Sequence, residues 1–324
     1  MRIAEYKGKW NSALFPVTFG DVRLTAKLAA TGLVSWLLSV DKLWSAARAI
    51  RRMRGEQPNR TNRVDLVVTR VLSDYVSRER ACEIDADWRA RALETRLQIL
   101  ALHRPGRCWQ PEIQMHGVEH LEAALARKSG ALLWVSDFVY SSLITKMAFC
   151  RAGFGVSHLT RPEHGFSGTP YGVRVLNPLW TKIEDRFIAE RVTIDEENPG
   201  TALELLRSRL TANRVVSITV GRWARRTLDI PFFKGTICLA TGPAHLSQTC
   251  HAPLLPVFTF RASSGEYHVT IGSAIGGHTT SQGNYARTLQ SYVNSLKEYV
   301  LSYPDQWNGW LRSIRRKAEV HSAS

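Results

Sequence analysis

No apolar run in this 324-residue chain reaches the roughly 20 residues that span a bilayer. The nearest approach, Leu28 to Val40, is cut off by Lys27 and Asp41. It reads either as an interfacial helix or as a core helix with a solvated basic end, because Arg48, Arg51, Arg52 and Arg54 follow it. A secretory leader is also lacking: Glu5, Lys7 and Lys9 come early, with no apolar core before a small-residue cleavage site. Cysteine is sparse. Cys82, Cys108, Cys150, Cys238 and Cys250 are odd in number and scattered, with no Cys-x-x-Cys. That argues against a zinc ribbon or disulfide framework and fits a reducing cytoplasm. Gly-x-Ser-x-Gly, the P-loop and Gly-x-Gly-x-x-Gly are absent too, which removes local support for a serine hydrolase, an NTPase or a dinucleotide-binding enzyme.

Acidic residues are outnumbered. The chain has 43 Lys and Arg against 28 Asp and Glu, a net charge of +15. Nucleic acid, an anionic membrane surface and acidic ligands such as phosphopantetheine carriers would all answer that charge. The ten tryptophans are scattered and no aromatic-basic motif is visible, so no nucleic-acid partner is expected.

What is present is enough for a sizeable core, at 44% hydrophobic residues, and for a regular order. Residues 1–60 are amphipathic and helical in pattern, ending in the polar break Gly55 to Arg60. A second helical stretch covers about 64–102, and Arg104-Pro105-Gly106-Arg107 is a turn. Strand and helix patterns then alternate. Strands are expected at Ile113–His116, Ala131–Val135, Gly155–Leu159, Val215–Val220, Leu254–Phe260 and Tyr267–Ile271. Helices are expected at Glu119–Lys128, Phe138–Ala152, Ala202–Leu210, Pro243–Gln248 and Tyr285–Ser302. The alternation predicts an α/β fold, a three-layer αβα sandwich with a mostly parallel central sheet and an N-terminal helical region. The expected division is 1–105 for the helical region, 106–315 for the αβα domain and 316–324 for a frayed tail.

Four blocks in order carry a family likeness over about 110–315. They are Gly117 to Leu125 leading into the Gly130 strand, and Leu159-Thr160-Arg161-Pro162. The third joins Asp229-Ile230-Pro231-Phe232-Phe233-Lys234-Gly235, Thr241-Gly242-Pro243-Ala244 and Ala252-Pro253-Leu254-Leu255-Pro256-Val257-Phe258, and the fourth is Tyr303-Pro304-Asp305-Gln306-Trp307-Asn308-Gly309-Trp310. Together they resemble the lipid A biosynthesis lauroyl/myristoyl acyltransferases of the lysophospholipid acyltransferase superfamily. The resemblance implies an acyltransferase that takes a fatty acyl group from acyl-carrier protein or acyl-CoA, with no further cofactor and no metal. The acceptor would be a hydroxyl or amine of a lipid or natural product, and the protein would sit peripherally at the inner face of the plasma membrane. It also implies a general base, a His oriented by an acid five positions later. Here those two positions hold Asp137 and Ser142. A catalytically inactive lipid- or carrier-binding relative is the alternative.

Several residues compete for the vacant roles. Asp137 reads either as a base or, with Ser136, as the N-cap of the following helix. His164 lies in a Gly- and Pro-rich loop beyond the Leu159 strand. There it would face the cleft at the carboxyl ends of the strands and restore a His–carboxylate pair with Asp137. The literal spacing His158-x4-Glu163 has Pro162 inside it and reads as a decoy. Arg161, Arg174, Arg222 and Arg225 are candidates for holding a substrate anion, and Ser142 for a substrate contact. His116 and His120 are four apart, but Gly117 stands between strand and helix, so no zinc site is expected.

Overall fold

The computed structural model describes residues 17–53, 63–106, 109–194, 198–221, 224, 226–276 and 285–315. The expected break at 55–60 and tail at 316–324 lie outside these residues. Four helices come first: α1 (Phe19–Leu37), α2 (Leu43–Met53), α3 (Val64–Val71) and α4 (Arg78–Ala101). The helical pattern over 64–102 is thus two helices rather than one. Leu72 closes α3, and the Ser77 hydroxyl accepts the Arg80 amide 3.2 Å away to start α4.

α1 is amphipathic in the reverse sense. It begins with a capping box between Thr18 and Asp21, and its buried positions are Asp21, Leu28, Thr31 and Ser35. Its exposed positions include Phe19, Val22, Leu33, Trp36 and Leu37. The helix starts well before the expected Leu28 and ends at Leu37. No helix among the described residues is long and apolar enough to cross a membrane.

The alternating region follows as β1 (Ile113–His116), α5 (Val118–Ala126), β2 (Ala131–Val135), α6 (Lys146–Arg151), β3 (Val156–Thr160), α7 (Pro178–Glu184), β4 (Glu190–Thr193), α8 (Pro199–Thr211) and β5 (Val215–Thr219). The hairpin β6 (Thr227–Phe232) and β7 (Gly235–Ala240) comes next. The last elements are α9 (Gly242–Cys250), β8 (Leu254–Arg261), β9 (Tyr267–Ile271), α10 (Tyr285–Ser302) and α11 (Gly309–Arg312). The main sheet has seven strands in the order β1-β9-β8-β2-β5-β3-β4. β8, β2, β5, β3 and β4 run parallel, while β9 is antiparallel to β8 and carries β1 with it.

β2 sits between two parallel neighbours and is buried along its whole length, the pattern of a strand covered on both faces. Leu132 and Trp134 point into a core with α8, α9 and α10, through Leu206, Leu246 and Tyr292. Leu133 and Val135 point into a second core with Leu121 of α5, Met147 of α6 and Ile183 of α7. The three-layer αβα architecture is therefore as the sequence predicts. β4, α7 and the β6–β7 hairpin go beyond the expected elements.

Candidate active site

Two side-chain groups gather residues from the segments that follow β2 and β3. The first follows β2. The helix expected from Phe138 begins only at Ser141, with a π-helical turn over Ser141–Thr145. Main-chain groups of the corner are taken elsewhere: the Ser136 amide donates to Val257 and the Val139 amide to Gln306, while the Asp137 carbonyl accepts the Asn308 amide. The Ser136 hydroxyl bonds the Tyr292 hydroxyl at 2.9 Å. Asp137 accepts from Asn308 Nδ2 on one oxygen and from Arg312 on the other, both at 2.9 Å. Neither Ser136 nor Asp137 caps the helix, so that expectation fails: their oxygens bind the C-terminal segment and α10 instead. Ser142 offers a hydroxyl oxygen that is buried without a partner among the described residues.

The second group follows β3. His164 does not bond Asp137. Its Nε2 lies 2.9 Å from both oxygens of Glu184 at the end of α7, so the restored His–carboxylate pair has a different acid from the one expected. Glu184 is completely buried. It also accepts from Trp180 Nε1 at 2.8 Å, from Lys146 and from Arg191, the last two at 2.9 Å. Burial alone would raise the Glu184 carboxyl, but Lys146 and the hydrogen-bonded His164 overcome it and hold Glu184 well below the usual range. An ionised acceptor on Nε2 requires the proton there, which leaves Nδ1 as the basic nitrogen. The His164 side chain is 29% exposed, enough to meet a substrate.

The loop between β3 and α7 is shaped by Asn177. Its amide oxygen accepts the Phe166 and Ser167 amides at 2.8 and 3.0 Å, and its nitrogen donates to the Ser167 carbonyl at 2.8 Å. Gly165 has φ +139°, and a Cβ there would stand 2.7 Å from that oxygen, so the turn needs glycine. Thr169 donates to Asp21 and ties the loop to the first turn of α1.

Beneath His164, the ring of His158 is buried and 2.8 Å from the Ser217 hydroxyl. Burial first, then the charge of Lys146, holds it well below the ordinary histidine range. Glu163 bonds Arg161 at 3.4 Å instead, so the His158-x4-Glu163 spacing forms no pair. Arg174 is exposed on the turn Gly172–Leu176. Arg222 and Arg225 lie outside the described residues. His116 Nε2 meets His268 Nδ1 at 3.0 Å. Among the described residues no group of three or more His, Cys, Asp or Glu is arranged to hold a metal.

Glu184, Lys146, Asn308 and Arg312 belong to the two candidate groups, and motif spacing misses them. Asn308 lay in the fourth block, whereas nothing in sequence separates Glu184 from other carboxylates. Against the collected family sequences, a model described as bacterial lipid A biosynthesis acyltransferase matches residues 44–315. No individual curated protein matches the chain.

Proposed function

The chain belongs to the bacterial lipid A biosynthesis acyltransferase family, and from that premise we propose that it moves a fatty acyl group from a thioester on acyl-carrier protein or coenzyme A to a hydroxyl or amine of a lipid or natural-product acceptor. The observation that carries the reading is the pair formed by His164, in the loop after β3, and Glu184, at the end of α7. Nδ1 of His164 takes the acceptor's proton as its oxygen or nitrogen attacks the thioester carbonyl. The tetrahedral oxyanion then collapses, the carbon–sulfur bond breaks, and the departing sulfur takes that proton from the imidazolium. Glu184 keeps the ring in one tautomer and balances the charge that forms. Arg161, Arg174, Arg222 and Arg225 remain candidates for holding anionic parts of the substrates. The apolar exposed face of α1 and the +15 charge support peripheral attachment to an anionic membrane.

Mass spectrometry of acyl transfer by the purified chain tests the proposal. Removing a general base costs about 10²–10⁴ in rate, so His164→Ala is expected to lose transfer on that scale while still binding acyl donor. Full activity of this variant refutes the assignment. A second reading, a non-catalytic lipid- or carrier-binding protein, draws on Asp137 being engaged by Arg312 and Asn308. It predicts donor binding without turnover in the wild type, insensitive to Asp137→Ala.

A further inference from the structure

α1 and α7 both pack on α4, and between them lies a groove of about 370 Å³. Its lining is largely apolar, with Gly32, Leu33 and Trp36 from α1, Leu100 from α4 and Leu179 from α7. His103 also lines it, but that ring is engaged: its Nε2 lies 2.6 Å from the Leu179 carbonyl. Leu33 and Trp36 are exposed at the mouth. At helical spacing they share the outward face of α1 with Phe19, Val22 and Leu37.

The groove depends on Gly32. Glycine is a poor helix former beside alanine, yet a Cβ at this position would meet no atom within 4 Å. Crowding therefore does not demand a glycine here; its effect is to leave the groove unfilled. The mouth carries a positive charge. The last carbonyls of a helix have no partner within it, and α1 has no basic residue in its own last turn. Arg104, from the turn after α4, supplies one: its guanidinium donates to the Trp36 carbonyl at 2.7 Å. Arg104 is exposed and has no carboxylate partner among the described residues. A cation is thus held where the apolar lining meets solvent.

An apolar slot with a cation at its rim matches an amphiphile of the opposite sign. We propose that this groove takes one acyl chain of an anionic phospholipid, with the lipid phosphate on Arg104. The source of that lipid rests on the membrane-attachment reading; the groove and its charge stand without it. Three soluble probes separate the parts: dodecyl phosphate has chain and charge, dodecyl maltoside the chain alone, and glycerol 3-phosphate the charge alone. Each is titrated calorimetrically, below any micelle formation, into the full chain and into its Gly32→Ala, Gly32→Leu, Gly32→Trp and Arg104→Ala variants.

Dodecyl phosphate is expected to bind more tightly than either other probe. Its affinity is expected to fall with side-chain size at position 32, by roughly 10-fold or more in Gly32→Trp, the equivalent of about two methylenes shut out. Arg104→Ala is expected to weaken it by roughly 10- to 100-fold, the range of a charged hydrogen bond, and to leave dodecyl maltoside unchanged. Melting temperatures across the Gly32 variants are expected to stay level or rise, since each replacement is a better helix former. Equal affinity across that series overturns the proposal, as does equal binding of dodecyl maltoside and dodecyl phosphate. A wild type that binds no dodecyl phosphate gives the groove to another occupant and overturns it too. So does a lowered melting temperature in Gly32→Ala, because Gly32 would then not face open space. Gly32-dependent binding without sedimentation on anionic vesicles leaves the groove standing and removes the attachment reading; sedimentation without Gly32-dependent binding does the reverse.

Discussion

Glu184 is a buried carboxylate with a lysine, an arginine, an indole and an imidazole on its two oxygens. Such a group is costly to desolvate and costly to strip of partners, so its neighbours are coupled to the stability of the fold. His158, in the same cluster, gives the clearest pH signature. Folded, its ring is held neutral well below the histidine range; unfolded, it titrates near 6.5. Below about pH 6.5 the unfolded chain binds a proton that the folded chain does not, so stability falls as pH drops, with a slope approaching about 1.4 kcal/mol per pH unit. Glu184, depressed in the folded state, contributes stability above the ordinary carboxylate range and loses it only at more acid pH. Urea unfolding of His158→Asn is expected to show a flatter pH dependence between about 6.5 and 5 than the wild type; an unchanged slope refutes this. The histidines were visible as candidates in the sequence, but their acid was not. Glu184 lies 20 residues from His164, and only the return of the chain through α7 brings them together.

Elements were more legible than their junctions. Ile113–His116, Ala131–Val135 and Tyr267–Ile271 form strands at the expected bounds, because apolar runs between turn residues have few other uses. The corner after β2 departs from expectation. Local propensity favoured a helix from Phe138, but Gln306 and Asn308 compete for the backbone there, a tertiary effect that local pattern does not contain. The turn before β2 depends on Gly130, which has φ +72° and whose added Cβ would lie 2.7 Å from the Leu210 carbonyl and 2.8 Å from that of Arg214. Left-handed backbone costs an L-residue roughly 1–2 kcal/mol, and the clash with main-chain atoms adds to it. Gly130→Ala is therefore expected to lower the denaturation midpoint by at least that equivalent; an unaltered midpoint contradicts the close approach of the α8–β5 connection.

The whole molecule joins a strongly basic composition to a helix turned inside out. Phe19, Val22, Leu33, Trp36 and Leu37 face outward on α1, while Asp21, Leu28, Thr31 and Ser35 face inward. Basic residues near an anionic surface contribute about 1 kcal/mol each, screened by salt. Co-sedimentation with vesicles containing phosphatidylglycerol is expected at low salt, to weaken as salt rises, and to weaken further in a Leu33→Ser, Trp36→Ser variant. Equal sedimentation of this variant contradicts docking through α1. By itself the sequence determined the αβα architecture, the family and the apolar content of the Leu28 to Val40 stretch, since these follow from periodicity and from residues adjacent in the chain. Which side of α1 meets solvent, which acid serves His164, and that Asp137 is held by Arg312 were decided only by the tertiary structure. These pairings join residues far apart in sequence, and a contact that closes a long loop leaves no local pattern to read.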